Sequence, residues 1–336
     1  MTPLGTAFSA INSTHITDLA NQVAAYNARG IDVFIRLAPE MNGNWYPWAL
    51  RPIDFIQLWI NVTNAVRAVA PRTAMVFAPQ ALPDGAFPVD ASVTGDIDPA
   101  NLEALDTNKN GVYDTDDNPY TPWWPGAQYV DWIGTSLYYF GPQCLKCPGN
   151  PYYGVNQVPP TTYFANTLLG GTYPFYDWVQ STNKPLSISE WGVAHYNAFT
   201  PNGTNGTYLP ITAGAAELPQ KRGWWLEGVA NTATYVKFPL IKMFGLFEFR
   251  KVESGTARDF QLLNISNTNN ITQNFMADLN SSGVAYQWAI YTPPPPPAAN
   301  STSPATVPQT GSALKPLSTA GGVITALMTG LLFTFP

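Results

Sequence analysis

Ile31-Asp32-Val33-Phe34-Ile35-Arg36-Leu37-Ala38-Pro39-Glu40 is the stretch that decides how this chain is read. From Ile31 to Leu37 it is an apolar run with little alternation, as expected of a strand buried on both faces. A carboxylate, Glu40, follows almost at once. Before this run, the residues from Ile16 to Ala28 carry a helical pattern that stops at Gly30. After it, Pro52 opens a second helical stretch that closes at Val69, with Pro71 beyond its end. The alternation then repeats. Apolar runs at Ala74–Ala78, Trp132–Tyr138, Leu186–Glu190 and Ile241–Phe247 predict strands. The stretches Tyr163–Gln180, broken at Gly170-Gly171, Ala215–Tyr235 and Ile271–Leu279 predict helices. Such an order predicts an α/β fold, a parallel sheet covered by helices.

Composition narrows the class. The chain has 336 residues, enough for one large domain with a sizeable core. Hydrophobic residues make up 45 %, which excludes a disordered chain, and charged residues only 11 %. The net charge of -6 gives nucleic-acid binding no electrostatic support. Aromatics reach 13 %, leaving flat side chains for clefts as well as core.

Several signals point to an extracellular or cell-surface protein. Asn-X-Ser/Thr acceptors stand at Asn12, Asn61, Asn202, Asn205, Asn264, Asn270, Asn280 and Asn300. The two cysteines, Cys144 and Cys147, lie among prolines and Gly149, which fits a local loop disulfide better than a redox pair at a helix start. Residues 1–291 read as the globular unit and 292–318 as a Pro/Ser/Thr-rich linker. Residues 319–336 form an apolar tail with Gly311, Ser312 and Ala313 upstream. That layout is expected of a lipid-anchor signal, the alternative being a tail-anchoring helix. Met1-Thr2-Pro3-Leu4-Gly5 lacks the basic start and apolar core of a signal peptide.

In parallel α/β folds, chemistry collects at the C-terminal ends of strands. Glu40, Glu190 and Glu248 all fall at such ends, and a carboxylate is costly to bury unless it is used or paired. Two carboxylates facing one another across a barrel mouth satisfy the needs of glycosidic cleavage. One protonates the leaving oxygen; the other attacks the sugar carbon or activates water. Glu248 is either a third cleft carboxylate or a partner for Arg250.

The residues around this pair carry a family resemblance. Arg36-Leu37-Ala38-Pro39-Glu40-Met41-Asn42-Gly43-Asn44-Trp45-Tyr46-Pro47-Trp48 resembles the acid/base segment of glycoside hydrolase family 26, the β-mannanases. Ile188-Ser189-Glu190-Trp191-Gly192 is similar to the nucleophile segment, and Trp132–Tyr138 to the strand before it, whose Tyr supports the nucleophile. Ile241–Glu248 is similar to the final strand. The resemblance implies a (β/α)8 TIM barrel and a retaining endo-β-glycanase acting on β-1,4-mannan, with Glu40 as acid/base and Glu190 as nucleophile. It implies Tyr138 or Tyr139 as the supporting Tyr, and a monomer with a polysaccharide substrate and no catalytic cofactor. Asn42, Trp45 and Trp191 beside the acids are expected in the substrate cleft, with Glu248. Placing Ile31–Leu37 as strand four leaves strands four to eight in this sequence, so the barrel is expected to lack its first three strands and to have two open edges. The family carries a sugar-binding His just before its acid/base Glu; this chain has Pro39, so that contact is lost or supplied elsewhere. A weakly catalytic carbohydrate-binding relative and a structural wall glycoprotein are the alternatives.

A separate segment, from Asp106 to Asp117, matches a calcium loop. Its ligands would be Asp106, Asn108, Asn110, the Val112 carbonyl, Asp114 and Asp117, with Gly111 at the sharp turn. An acidic Asn-Gly turn in solvent is the alternative. Trp123 and Trp124 could stack on sugar rings or pack in the core, and His195 could line the cleft or the surface.

Overall fold

A computed structural model describes residues 8, 10–87, 97–142, 155–200, 207–253, 255–264, 270–288 and 332–334. Helix α1 (Ser13–Ala28) starts where the Asn12 side chain accepts the His15 amide at 3.1 Å, while His15 Nδ1 accepts the Asn12 amide at 3.3 Å. This reciprocal cap satisfies donors that the first turn leaves over. Strand β1 (Val33–Ile35), helix α2 (Pro52–Val69) and strand β2 (Thr73–Phe77) follow. Next come α3 (Pro99–Leu105), β3 (Trp132–Tyr139), α4 (Tyr163–Leu169), α5 (Phe175–Thr182) and β4 (Leu186–Val193). Then come β5 (His195–Phe199), β6 (Leu209–Pro210), α6 (Glu217–Glu227), α7 (Thr232–Lys237) and β7 (Ile241–Leu246). Last are β8 (Arg250–Glu253), β9 (Thr256–Asp259), α8 (Ile271–Ser281), β10 (Gln287–Trp288) and β11 (Leu332–Thr334).

Strands β1, β2, β3, β4 and β7 lie side by side in that order, all parallel. This is the α/β arrangement expected, and it amounts to part of a (β/α) barrel. The described sheet is open, with β1 and β10 at its two ends, so two edges are present as expected but the second is not β7. Among the described residues β1 has no outer neighbour, but the far side of β7 pairs antiparallel with β11, which pairs with β10. The remainder of the 292–336 linker and tail, Cys144 and Cys147 lie outside the described residues.

The main core lies between the sheet and its helices. Phe55 and Trp59 of α2 meet Phe77 of β2 at 6.0 and 5.6 Å, and Trp123 joins Phe55 at 5.7 Å. Trp123 is buried, and Trp124 packs edge-on to Phe77 at 5.3 Å, so both belong to this core rather than to a sugar platform. Truncating one such buried aromatic costs about 3–5 kcal/mol.

A second, antiparallel sheet in the order β6-β5-β9-β8 is not evident in the sequence. It is joined to α6 through Lys221, whose buried ammonium donates to Glu217 at 2.7 Å, Asp259 at 3.1 Å and the Gln261 carbonyl at 2.7 Å. The helix expected over Ala215–Tyr235 is therefore two helices, parted at Gly228, where a Cβ would sit 3.1 Å from the buried Trp191 ring.

Candidate active site

The site forms where β1, β3 and β4 present their C-terminal ends. Strand β1 is only three residues long because the chain leaves it through two left-handed turns. Ala38 has φ 41° and Glu40 φ 57°, conformations that cost an ordinary residue of order 1–3 kcal/mol and persist only when the surroundings hold them. The surroundings do so. The Glu40 amide donates to the Ala78 carbonyl at 2.7 Å, and the Gly43 amide to the Glu40 carbonyl at 3.1 Å. Asn42 pins the same loop to the segment after β2: its Nδ2 donates to the Gln80 carbonyl at 2.9 Å and its Oδ1 accepts the Gln80 amide at 2.8 Å. Asn42 is buried with its amide paired to the Gln80 backbone, so it ties down the loop instead of taking the exposed cleft position expected of it.

Strand β4 delivers Glu190 through a bulge. Its register with β3 runs Thr135 to Ile188 and then Ser136 to Glu190, so Ser189 is skipped. A bulge of this kind re-aims the side chains that follow it. Two glycines make room: a Cβ on Gly134 would lie 2.6 Å from the Ser189 hydroxyl, and one on Gly245 2.5 Å from the Ser189 carbonyl.

Glu40 and Glu190 meet across Arg36. The Arg36 Nη1 donates to Glu190 Oε1, and Nη2 donates to the Ser136 hydroxyl at 2.7 Å and lies 3.8 Å from Glu40 Oε1. The Ser136 hydroxyl donates to Glu40 Oε1, and the Trp45 indole N–H to Glu40 Oε2 at 2.8 Å. The Tyr138 hydroxyl donates to Glu190 Oε2. Each carboxylate thus has both oxygens oriented by side chains, Glu190 from β3 and from Arg36 after β1, Glu40 from β3 and from Trp45 of its own loop. Glu40 is only 8 % exposed, whereas Trp45 beside it is 45 % exposed and packs edge-on to Phe87 at 5.4 Å. Burial, with the Glu190 charge beside it, pushes the Tyr138 phenol well above its usual range, so it serves as a donor.

Alternation along the strands separates the other candidates. Tyr138 faces Glu190, so its neighbour Tyr139 faces the helices and packs edge-on to Tyr163 at 4.8 Å. Of the two tyrosines, Tyr138 is the one that meets Glu190. By the same alternation Trp191 turns away from the cleft. It is 1 % exposed and stacks on Trp224 at 5.7 Å, which corrects its expected place in the substrate cleft.

Glu248 is also diverted. Its carboxylate accepts the Leu262 amide at 2.9 and 3.0 Å and the Leu263 amide at 2.9 Å. Burial raises its carboxyl above the usual carboxylate range against those bonds. It fastens backbone rather than sugar, and Arg250 pairs with Asp259 instead, at 2.6 Å. His195 pairs through Nδ1 with Gln220 Oε1 at 2.7 Å.

The acidic loop is closed by its own amides. Asp106 accepts the amides of Asn110 at 3.1 Å and Gly111 at 2.8 Å, Asn108 that of Asn110 at 2.9 Å, Asn110 that of Val112 at 2.8 Å, and Asp114 that of Asp116 at 2.8 Å. Asp117 is fully buried and accepts from Thr107 at 2.6 Å, Asn108 at 3.2 Å and Asp114 at 3.0 Å. Among the described residues no three His, Cys, Asp or Glu side chains are gathered as around a metal ion. No described helix is long and apolar enough to cross a membrane.

Sequence reasoning misses Arg36, Ser136 and the aromatic wall beside Glu190. Tyr138 packs against Phe247 at 5.3 Å, Phe140 at 5.5 Å and Phe260 at 5.6 Å. A signal for Arg36 does exist in the sequence: a lone cation inside an apolar strand needs a buried partner.

No family model matches the chain, and no curated protein matches it. Among solved structures, it is similar to the catalytic domain of a family 26 endo-β-1,4-mannanase from Bacillus sp. JAMB-750, at 16% identity over 82% of this chain and 59% of that chain, with a TM-score of 0.45. It is similar to a double mutant of the Cellulomonas fimi endo-β-1,4-mannanase, at 15% identity over 79% of this chain and 45% of that chain, with a TM-score of 0.42. A third is a Bacillus subtilis mannanase, at 18% identity over 54% of this chain and 39% of that chain, with a TM-score of 0.30. The chain thus spans between 39% and 59% of the length of these three structures.

Proposed function

We propose that this protein is a retaining endo-β-glycanase that hydrolyses O-glycosidic bonds, with β-1,4-mannan as its substrate. The observation that carries the reading is one guanidinium, Arg36, held between two strand-end carboxylates whose oxygens are also oriented by Ser136, Trp45 and Tyr138. Glu190 attacks the sugar carbon as the bond to the leaving oxygen breaks, and Glu40 gives that oxygen its proton. A glycosyl ester on Glu190 results. Glu40 then takes a proton from water, which attacks the same carbon and frees Glu190. The choice of mannan rests on the resemblance of residues 36–48 to the β-mannanase segment. Retention is read from the anomer of the first product by NMR; release of the inverted anomer contradicts it.

Pro39 supports a second reading, a glycan-binding relative with little catalysis, because proline offers no side-chain donor beside Glu40. Manno-oligosaccharide that binds without being cleaved selects this reading. We also propose that the protein works outside the cell as a lipid-anchored monomer, from its eight acceptor triplets and apolar tail. Calcium at residues 106–117 belongs to the same proposal, supported by the oxygen spacing and by Gly111 at φ 88°. A chelator then lowers the Tm; an unchanged Tm removes calcium from the account.

A further inference from the structure

The donors around the two carboxylates can be counted, and nearly all are committed. Tyr138 gives its hydrogen to Glu190, while Ser136 and Trp45 give theirs to Glu40. Arg36 spends Nη1 on Glu190 and Nη2 on Ser136; its Nε has no partner but is closed off from solvent. Asn42 is engaged by the Gln80 backbone, and the Trp48 indole donates to the Pro39 carbonyl at 2.8 Å. A sugar bound here needs hydrogen bonds to its hydroxyls, and a site that spends its donors internally cannot supply them.

Tyr46 is different. It follows Trp45, whose indole is tied to Glu40, and its ring stacks on Trp48 at 4.5 Å with only 13° between the planes. Since Trp48 is tied in turn to Pro39, the Tyr46 ring is held from both sides in sequence. Its hydroxyl has no hydrogen-bond partner among the described residues. Because the indole of its neighbour Trp45 donates to Glu40 Oε2 at 2.8 Å, Tyr46 stands on the loop that borders the two carboxylates.

We propose that the Tyr46 hydroxyl is a substrate-binding donor of this cleft, giving a hydrogen bond to a hydroxyl of the sugar held between Glu40 and Glu190. It thereby supplies the contact that Pro39 cannot make. The proposal rests on the glycanase reading and deepens it. The phenol is a hydrogen-bond donor at any ordinary pH, because burial, Glu40 and Glu190 push its pKa up to about 12. Stacking on Trp48 sets its direction beforehand, so little freedom is lost when the sugar arrives.

Tyr46→Phe removes one oxygen and leaves the stack on Trp48. The full chain carrying this change is compared with the parent on manno-oligosaccharides, for both binding and hydrolysis. Loss of one hydrogen bond predicts roughly five- to ten-fold weaker binding, with kcat/KM reduced by at least as much and the Tm unchanged. Tyr46→Leu, which loses the stack as well, weakens binding further. Binding and kcat/KM within about two-fold of the parent overturn the Tyr46 assignment and leave the glycanase reading intact. A parent chain that neither binds nor cleaves glycans overturns both.

Discussion

Two groups of carboxylates lie at strand ends in this molecule, and they are wired in opposite ways. Around Arg36, the partners of Glu40 and Glu190 are all side chains, among them the half-exposed Trp45. Around Lys221, Asp259 accepts from the buried ammonium, from Arg250 at 2.6 Å and from the Gln261 amide at 2.8 Å. Glu248 nearby is held by two backbone amides. The first arrangement orients the oxygens of two carboxylates by side-chain donors; the second uses carboxylates to fasten one sheet to a helix. Position at a strand end is common to both groups; what differs is the partners that hold the carboxylates.

The sharpest way to break this contrast is to neutralise one member of each group. With Glu40 as the proposed acid/base, Glu40→Gln is expected to lower kcat about 10²–10⁴-fold, with Glu190→Ala at least as damaging. Glu248→Gln is expected to leave kcat within a few-fold and to appear in the melting curve instead. If Glu248→Gln abolishes cleavage and Glu40→Gln does not, the two groups have been assigned the wrong way round. Lys221→Met leaves Asp259 buried with one cation fewer, and is expected to cost about 3–5 kcal/mol in denaturant unfolding while sparing kcat/KM of the folded fraction. Trp191→Ala and Trp45→Ala divide similarly: the first loses about 3–5 kcal/mol of stability, while the second chiefly weakens glycan affinity.

The smallest effect concerns pH. Burial raises the Glu227 carboxyl, and its Oε1 is buried without a partner. A carboxyl raised on folding favours the folded state below its unfolded value near 4.5, and this contribution is lost as pH rises through the folded value. Glu227→Gln is therefore expected to stabilise the protein at neutral pH, with the gain vanishing as pH falls toward 4.5. A gain independent of pH would contradict the assignment to charge burial.

Much of this layout is legible in the amino-acid sequence. The parallel strands declare themselves as continuous apolar runs, and Glu40 and Glu190 are the carboxylates that follow two of them. The departures have physical causes. Adjacency to Glu190 suggests a cleft position for Trp191, but successive strand residues face opposite sides. Strand position alone suggests the same for Glu248, and nothing in the sequence announces the Leu262 and Leu263 amides that hold it, fourteen and fifteen residues on. The second sheet is hidden because strands such as His195–Phe199 are short and mixed in polarity, and the pairing of β5 with β9 joins segments some sixty residues apart. Arg36 stands in the same segment as Glu40, but its bond to Glu190 spans 154 residues of chain, and no local pattern encodes a contact of that range.

The central claim is that Glu190 forms a covalent bond with the sugar while Glu40 supplies the proton. The most direct measurement is mass spectrometry of the full chain after incubation with a slow mannosyl substrate, a 2-deoxy-2-fluoro mannobiosyl fluoride. The account predicts one added glycosyl mass, located on the peptide containing Glu190 and absent from Glu190→Ala. A chain that cleaves manno-oligosaccharides yet carries the label on another residue, or that retains full activity as Glu190→Ala, would contradict it.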